Sequence, residues 1–317
     1  MRIRESVPLS EIVYYHIGGI ARFVIEVYNL EEIREAINFL RSHHEVKIYI
    51  LGLGSNTLFP DDCSTLGVIW LRESGAISFQ DESITAFAGE SLDSIITFSL
   101  NNKQVGLEWA GGLPSTIGGA VRGNAGAFGS EIKNNVISVD AIDMSDSKLL
   151  LKSYSKDECG FSYRNSYFKQ NSNLLITSVV LATKNADEIV LKNAKNTYLK
   201  NIDYRANNHP IEYPSCGSVF KNIVKKEEVE KIISVWTDVK SLSESRWHNK
   251  ISMGYVINRL GFSGKKVGDA MISPKHTNYI VNLGHATAQD VRILIDQVRE
   301  SFYHVFGFYP EPEVIIL

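Results

Sequence analysis

Hydrophobic positions recur at helical spacing in several separate stretches of the chain. In the segment from residue 30 to residue 44, acidic residues come early and basic residues come late, and the apolar residues share one face: Ile33, Ala36, Ile37 and Leu40. This spacing, with charges that complement the helix dipole, predicts an amphipathic helix. Residues 92–102, 188–208, 226–236 and 287–307 also have helical patterns, and Thr287 is a candidate N-cap for the last of them.

Short apolar runs and alternating patterns predict strands between these helices. The runs cover residues 46–51, 136–144 and 174–182, and residues 68–92 alternate with turn residues between them. Strands and helices therefore follow one another without a repeat, which predicts an α+β fold. At 317 residues the chain exceeds the ~250–300 residues beyond which a single core usually divides, so two or three domains are expected.

Composition excludes several classes of function. The net charge of −3 gives no electrostatic reason to expect nucleic acid. No apolar run approaches the ~18 residues of a membrane span, and the N-terminus has no signal-peptide core. The three cysteines, Cys63, Cys159 and Cys216, form no CxxC pair, and there is no HExxH motif. We therefore expect a cytoplasmic protein with reduced thiols, no membrane association and no metal site.

A first glycine-rich turn follows the apolar run at residues 46–51. In "LGLGSNTLF", Gly52 and Gly54 would let the backbone approach a ligand, while Ser55 and Asn56 supply polar groups for phosphate oxygens. The GKS/T of a P-loop is missing, and Thr57 stands where a Rossmann fingerprint has its third glycine. On these residues alone, a phosphate-binding turn and a tight strand-exit turn both stay open.

A second, longer segment has the highest glycine density of the chain. It reads "GLEWAGGLPSTIGGAVRGNAGAFGSEI" and contains eight glycines: Gly106, Gly111, Gly112, Gly118, Gly119, Gly123, Gly126 and Gly129. Glycine is entropically costly to order, so such density indicates a backbone that closely surrounds a ligand or makes many turns. Apolar residues such as Trp109 and Ile117 are interspersed, which a flexible linker does not need. An ordered ligand-binding loop is predicted.

Five segments occur together and in order: "LGLGSNTL", the long glycine segment, "FSYRNSYFK", "CGSVFKN" and the terminal "PEPEVIIL". With them, nearly the whole chain resembles the UDP-N-acetylenolpyruvoylglucosamine reductase family, flavoenzymes that complete UDP-N-acetylmuramate in peptidoglycan synthesis. The resemblance implies a two-part FAD-binding fold of the PCMH (vanillyl-alcohol-oxidase-like) type plus a C-terminal α+β substrate-binding domain. The expected parts are residues 1–66 and 67–203 for FAD and 204–317 for substrate.

The resemblance also implies the cofactor and the reaction. FAD would be held noncovalently by the two glycine loops, through Gly52, Gly54, Ser55, Asn56, Gly112, Gly118, Gly119, Asn124, Ala125 and Gly126. NADPH would reduce the flavin, and hydride would pass from flavin N5 to the enolpyruvyl group of the UDP-sugar. The protein must then supply orientation, charge stabilisation and one proton. The substrate is a small molecule, and no obligate protein partner is expected.

By the same resemblance, Arg164, Ser218 and Glu313 are the catalytic residues. Arg164 would engage the substrate carboxylate and Ser218 would protonate the carbanion. A carboxyl that donates near an enolate must be protonated, so we expect burial to raise the pKa of Glu313. The residues alone leave Glu311 and Glu313 equally open, and the resemblance selects Glu313. Substrate contacts are implied for Tyr163, Lys221, Asn222 and Lys275.

The chain departs from the family pattern at two places. Ile223 follows "FKN", where relatives usually have proline, which changes loop stiffness and no functional group. In "ANNHP", Asn208 or His209 stands where relatives often carry a lysine before the proline, so a cation near the diphosphate is replaced. The substrate loop found in one subclass has no clear match, and we expect the shorter-loop subclass, type II.

Three other functions compete with this interpretation. An FAD oxidase of the same fold often tethers its flavin through His or Cys, but neither glycine loop contains either residue. A regulatory protein that had lost catalysis would lack the acid–base set, whereas Arg164, Ser218 and Glu313 are all present. A cysteine hydrolase using Cys216 needs a placed histidine and an activating environment, for which the sequence around Cys216 gives no sign.

Overall fold

Eighteen strands and nine helices alternate along the chain in the structure, a computed structural model that describes residues 1–317. The strands are β1 (Arg2–Pro8), β2 (Ile20–Val27), β3 (Lys47–Leu51), β4 (Thr57–Leu58), β5 (Leu66–Leu71), β6 (Ile77–Gln80), β7 (Ser83–Phe87), β8 (Gln104–Val105), β9 (Gly126–Ala127), β10 (Ser130–Glu131), β11 (Val136–Asp143), β12 (Leu151–Ser155), β13 (Leu174–Ala182), β14 (Lys184–Asn185), β15 (Lys266–Val267), β16 (Ala270–Ile272), β17 (Ile280–Asn282) and β18 (Ile315–Ile316).

The helices are α1 (Leu30–Arg41), α2 (Leu92–Asn101), α3 (Ile117–Gly123), α4 (Tyr167–Gln170), α5 (Glu188–Asn208), α6 (Lys226–Val235), α7 (Val239–Arg246), α8 (Met253–Arg259) and α9 (Ala288–Phe306). Single turns of 3-10 helix occur at Leu9–Glu11, Glu108–Ala110 and Ile132–Asn134. None of the helices is both long enough and apolar enough to cross a membrane. The mixture of strands and helices agrees with the predicted α+β class.

Backbone contacts divide the chain into two units, each with its own core. The first unit comprises Met1–Val7, Ala21–Leu53 and Ser64–Asn207, and the second comprises Pro8–Ile20, Gly54–Cys63 and Asn208–Leu317. The division within the FAD-binding part that the sequence predicts, between residues 66 and 67, stays a prediction.

The first unit is built on two sheets. One has the strand order β1-β2-β5-β3, with β2 and β3 both parallel to β5. The helix α1 is capped by the Asn29 side chain, which accepts from the Glu32 N–H at 3.0 Å, and its predicted apolar face is buried. The other sheet is antiparallel, in the order β12-β11-β13-β7-β6. The predicted strands 136–144 and 174–182 correspond to its two adjacent members β11 and β13.

The second unit packs helices around a small antiparallel sheet, β15-β16-β17. Its longest helix, α9, begins with a capping box in which Thr287 and Asp290 exchange side-chain-to-backbone bonds, which confirms the predicted cap. Asp61 adds to the same helix start, since its carboxylate accepts from the N–H groups of Ala288 and Gln289. The last strand, β18, pairs in parallel with β4. That pairing brings the C-terminal segment next to the first glycine turn.

Candidate functional site

The long glycine segment of the first unit is held in place by its own N-cap and by neighbouring backbone. Thr116 caps α3, and its hydroxyl accepts from the Gly119 N–H at 3.2 Å. A Cβ at Gly52 would lie 2.5 Å from the Thr116 hydroxyl oxygen, and one at Gly118 would lie 3.0 Å from the Ala88 carbonyl oxygen. The contact at Gly52 is too close for a side chain, and the contact at Gly118 is tight enough that a side chain there would force its neighbours to shift, so glycine suits the local packing at both positions.

Helix α5 holds the start of the same segment. A Cβ at Gly111 would lie 2.6 Å from the Tyr198 carbonyl oxygen, and Gly112 has a φ of +70°. The Arg205 guanidinium donates to the Gly111 carbonyl oxygen at 3.2 Å, and the buried Asn201 amide donates to the Glu108 carbonyl oxygen at 3.1 Å. The segment is therefore an ordered, packed loop, as predicted, and not a flexible linker.

The other end of the loop turns at Asn124, which adopts a left-handed conformation with a φ of 42°. Its side chain is fully buried, and its amide donates to the Ser162 carbonyl oxygen at 2.8 Å and to Glu131 at 3.0 Å. The backbone of Ala125 is tied in as well, since its N–H bonds to the Ala120 carbonyl at 2.8 Å. Asn124 therefore shapes the loop from inside, and any part it plays in cofactor binding acts through the backbone it holds.

Arg164 lies beside this turn. Its guanidinium donates to the Gly126 carbonyl oxygen at 3.0 Å and lies 5.4 Å from the centre of the Tyr163 ring. Its own backbone is left-handed, with a φ of 53°, a conformation that costs a non-glycine residue about 1 kcal/mol or more. Burial alone would raise the pKa of Glu131, but hydrogen bonds from Lys133 and Asn124, aided by the charges of Lys133 and Arg164, lower it. Glu131 is therefore an ionised carboxylate near the Arg164 guanidinium.

Three segments of the second unit meet at the predicted Ser218 and Glu313 positions. The Glu313 N–H donates to the Val219 carbonyl oxygen at 2.7 Å, directly after Ser218. The Asn56 side-chain amide donates to the Glu313 carbonyl oxygen at 3.4 Å, and the Ile315 N–H donates to the Asn56 carbonyl oxygen at 3.0 Å. These hydrogen bonds join three segments: the Ser55 end of the first glycine turn, the C-terminal segment, and residues 216–222, which we call the Ser218 loop.

Proline fits into this pairing without losing a bond. Phe220 and Pro312 face each other in an isolated antiparallel bridge. The two bonds of that bridge are made by their neighbours, from the Lys221 N–H to the Glu311 carbonyl at 3.0 Å and from the Glu313 N–H to the Val219 carbonyl. Pro312 thus occupies a non-hydrogen-bonded pair, where its missing N–H is not needed.

The two candidate glutamates have different surroundings. Glu311 is exposed and forms an ion pair with the Lys221 ammonium, whereas Glu313 is half-buried. The pairing leaves Glu311 at the surface and Glu313 in the convergence of the three segments. The expected upward shift in the pKa of Glu313 stays a prediction.

The remaining predicted substrate residues of the second unit are each engaged with protein groups. The Asn222 side-chain oxygen accepts from the Met253 N–H at 3.0 Å, at the start of α8. Lys275 lies 3.4 Å from the Glu212 carboxylate. In "ANNHP", where the chain departs from the family pattern, His209 shares a hydrogen bond of 2.9 Å with the Tyr279 hydroxyl.

Cys216 has no features of a nucleophile. The side chain is buried, and burial raises its pKa to about 12. A thiol that stays protonated at neutral pH neither attacks a carbonyl nor binds a metal. Its surroundings in the second core are apolar, so it contributes to packing.

The predicted site residues fall into two sets. Tyr163, Arg164, Gly52 and the glycines of the long loop belong to the first unit, whereas Gly54, Ser55, Asn56, Ser218, Lys221, Asn222, Lys275 and Glu313 belong to the second. The contacts described for the residues of each set lie within that set's own unit. Sequence reasoning missed Asn278, a buried asparagine whose amide is bonded to Phe220. The signal available was an amide two residues before the apolar pair Ile280 and Val281 in "TNYIVN".

The residues of the long loop suit FAD. At Gly119, a Cβ would approach the hydroxyl oxygens of Ser115 and Thr116, each at 3.3 Å, and no other atom within 4 Å. The Ser115 hydroxyl donates to the Thr116 carbonyl oxygen at 2.9 Å and the Thr116 hydroxyl accepts from the Gly119 N–H, so the Thr116 O–H and a backbone without side chains are what this part of the loop presents to phosphate oxygens. No histidine or cysteine lies in the loop, so a covalent link to the flavin has no attachment point there.

Comparisons with known proteins agree with these features. An FAD binding domain matches residues 21–150, and the C-terminal domain of UDP-N-acetylenolpyruvoylglucosamine reductase matches residues 209–317. The expected fold class and the FAD cofactor are thereby confirmed.

Relatives match over almost the full length. The UDP-N-acetylenolpyruvoylglucosamine reductase of Synechococcus sp. (strain WH7803) is 32% identical over 98% of this chain and 92% of its own, and that of Thermotoga petrophila is 32% identical over 95% and 93%. The crystal structure of the reductase from Thermus caldophilus aligns with a TM-score of 0.76 at 27% identity, covering 100% of this chain and 99% of that one. The chain therefore belongs to the UDP-N-acetylenolpyruvoylglucosamine reductase family.

Proposed function

We propose that this chain reduces the enolpyruvyl group of UDP-N-acetylglucosamine enolpyruvate to UDP-N-acetylmuramate, with NADPH as reductant, in peptidoglycan precursor synthesis. The observation that carries the proposal for the second unit is the 2.7 Å bond from the Glu313 N–H to the Val219 carbonyl oxygen, which joins the Glu313 segment to the residue after Ser218. We propose that it acts in the cytoplasm on small-molecule substrates, without an obligate protein partner.

Bound FAD supplies the hydride that adds to the terminal carbon of the enolpyruvyl double bond. The chain must then stabilise the negative charge on the adjacent carbon and deliver one proton to it. We assign the proton to the hydroxyl of Ser218, a half-buried residue. A serine hydroxyl is a weak acid in water, but the carbanion is a far stronger base, so transfer is favourable once the two atoms are held together.

Arg164 and Glu313 are proposed to stabilise the enolate. A guanidinium engages a carboxylate through two parallel bonds, and its attraction grows as charge moves onto those oxygens. The bond from Arg164 to the Gly126 carbonyl oxygen supports this role, because it fixes the guanidinium at the end of the cofactor loop. A protonated Glu313 would donate a further hydrogen bond to the same charge.

The substrate contacts follow from the same assignment. Tyr163 is proposed to contact the substrate near the Arg164 guanidinium. Lys221, Asn222 and Lys275 are proposed to contact the diphosphate. His209, bonded to the Tyr279 hydroxyl, takes the place of a permanent cation beside them. Diphosphate binding would then depend more on Lys221 and Lys275 than it does in relatives with an additional lysine.

A spectroscopic titration tests the proposed function. Purified protein should show an oxidised flavin spectrum, lose it when NADPH is added without oxygen, and regain it when UDP-N-acetylglucosamine enolpyruvate follows. Acid precipitation should release the flavin into the supernatant. Colour that stays in the pellet would favour a covalent oxidase, and reduced flavin that UDP-N-acetylglucosamine enolpyruvate does not reoxidise would overturn the proposal.

A further inference from the structure

Asn278 holds both backbone groups of Phe220 with one side chain. Its oxygen accepts from the Phe220 N–H at 3.0 Å, and its amide nitrogen donates to the Phe220 carbonyl oxygen at 2.8 Å. Its own carbonyl oxygen accepts a third bond, from the Val219 N–H, at 2.8 Å. The side chain is only 3% exposed, so water does not replace these bonds. The two residues that follow Ser218 are thus bound by one asparagine.

A carboxamide is suited to this place because its NH2 group can donate and its oxygen can accept in one plane, as the N–H and carbonyl of a peptide group do. Asn278 lies just before β17, and the bridge between Ser215 and Val281 lays the Ser218 loop along this strand. Beyond the end of this strand pairing, the Asn278 side chain makes the hydrogen bonds to the loop backbone that a paired strand would make. Buried backbone groups need such partners, so a side chain that lacks either the donor or the acceptor leaves Phe220 with one unpaired group.

The same hydrogen bonds reach the C-terminal segment. Val219 gives its N–H to Asn278 and its carbonyl oxygen to the Glu313 N–H. Phe220, held by the amide, faces Pro312 in the adjoining bridge. Displacement of residues 219 and 220 would therefore move the Ser218 hydroxyl and the Glu313 backbone together.

We propose that Asn278 is a positioning residue for proton delivery. It fixes the backbone of Val219 and Phe220, which joins Ser218 to the Glu313 segment, and so sets where the Ser218 hydroxyl points. The proposal rests on the proposed function. Asn278 touches neither substrate nor flavin in this role, and acts through Val219 and Phe220.

The variant Asn278→Asp gives a pH-dependent test. The aspartate keeps the acceptor for the Phe220 N–H, and its second oxygen replaces the amide nitrogen that faced the Phe220 carbonyl. When protonated, that oxygen donates as the amide did; when ionised, it repels the carbonyl. We expect flavin reoxidation by UDP-N-acetylglucosamine enolpyruvate to be near the wild-type rate at acid pH, and tenfold or more slower once the aspartate ionises. Flavin reduction by NADPH should keep the wild-type rate throughout.

The effects of other titrating groups cancel when the reoxidation rate of the variant is divided by that of the wild type at each pH. His276 lies two residues before Asn278, and burial lowers its pKa, while burial raises the pKa of Cys216 to about 12. Together with His209, Tyr279 and Glu313, these groups are present in both proteins. A ratio that changes with pH therefore reports the new aspartate.

Asn282→Asp is the matched control. Asn282 is also buried, in β17, and its backbone N–H donates to the Pro214 carbonyl oxygen at 2.9 Å, but its side-chain amide donates to the His16 carbonyl oxygen at 3.2 Å and makes no bond to Val219 or Phe220. This variant should lower the melting temperature without a pH-dependent ratio of reoxidation rates. A serine at 278 can bond to only one of the two Phe220 groups, so Asn278→Ser should slow reoxidation at every pH.

Hydrogen exchange on the wild-type protein provides a readout without turnover. The amides of Val219, Phe220 and Glu313 should exchange slowly, and all three should exchange faster in Asn278→Ser. A wild-type pH profile in Asn278→Asp, an equal loss in both half-reactions, or fast exchange of these amides in the wild type would each overturn the positioning role. Failure of UDP-N-acetylglucosamine enolpyruvate to reoxidise the wild-type flavin would instead refute the proposed function, and the exchange result would still stand.

Discussion

The Lys221 ammonium is paired with the Glu311 carboxylate, and the backbone of the same two residues is joined by a 3.0 Å bond from the Lys221 N–H to the Glu311 carbonyl oxygen. The lysine side chain is 15% exposed and the glutamate side chain 65%. The cation that we assign to the substrate diphosphate thus already has an anionic partner. Binding of the diphosphate must compete with Glu311 or share the ammonium with it.

Replacing Glu311 by glutamine should strengthen substrate binding. The variant keeps the size and the backbone bond but removes the competing charge, so the KM for the UDP-sugar should fall by about twofold to fivefold, the range expected from an exposed ion pair. The effect should shrink as salt is added. Glu230→Gln, which removes the ion pair with Lys226 on α6, is the control and should leave KM unchanged. A higher KM in Glu311→Gln would mean that Glu311 orients Lys221 and does not compete for it.

Replacing Ser218 by alanine should separate the two half-reactions. Reduction of the flavin by NADPH should proceed at the wild-type rate, whereas reoxidation by the enolpyruvyl substrate should slow by about 100-fold or more, the usual contribution of a positioned proton donor. Stopped-flow absorbance of the flavin measures both steps. Cys216→Ala, two residues away in the same loop, should reoxidise normally. Fast reoxidation of Ser218→Ala would assign the proton to another group.

Gly52→Ala should impair cofactor retention. The new methyl group would lie 2.5 Å from the hydroxyl oxygen of Thr116, the residue that caps α3. Loss of that cap costs about 1 kcal/mol, so we expect a lower melting temperature and a smaller flavin-to-protein absorbance ratio. Gly123→Ala is the matched control, because a Cβ there meets nothing within 4 Å and alanine favours helix. Equal flavin content in the two variants would contradict the packing argument.

Stability should fall at alkaline pH because of the three buried thiols. Burial raises the pKa of Cys216 to about 12 and those of Cys63 and Cys159 to about 11. Thiols of the unfolded chain ionise near pH 8.5. Above that pH the unfolded state binds fewer protons than the folded state, so the free energy of unfolding decreases as pH rises toward 11.

Urea unfolding at a series of pH values measures this effect. The midpoint should be constant below about pH 8 and should decline above it, and the decline should be shallower in Cys216→Ala. A thiol reagent should label the folded protein slowly and the unfolded protein rapidly. Rapid labelling of Cys216 in the folded state would contradict its assignment to packing.

The sequence predicted the elements whose local pattern and packing agree. The helix α1 has a full apolar stripe and a capped start, and α9 has a capping box, so both could be located from spacing alone. The helices α7 and α8 were not predicted. Only Val239 and Ser243 of α7 are buried, and α8 has seven residues, too few to establish a period.

The candidate site could be predicted from the sequence where it depends on the density of glycines and on the order of the motifs. The relation between Asn278 and Phe220 was not, because these residues are 58 positions apart and no periodic pattern connects them. The pairing of Lys221 with Glu311, 90 positions away, is hidden for the same reason. Contacts of this kind depend on how the folded loops approach one another, and neither propensity nor composition records that approach.

Pro312 has a consequence for the register in which the C-terminal segment pairs with the Ser218 loop. If the C-terminal segment slid by one residue, the proline would occupy a position that must donate, and each glutamate beside it would turn to the opposite face. The present alignment, with Pro312 opposite Phe220, avoids both penalties. The proline thus disfavours the one-residue slips that would turn both glutamates of "EPE" to the opposite face, and it holds the register in which Glu313 lies beside the Ser218 loop and Glu311 lies at the surface.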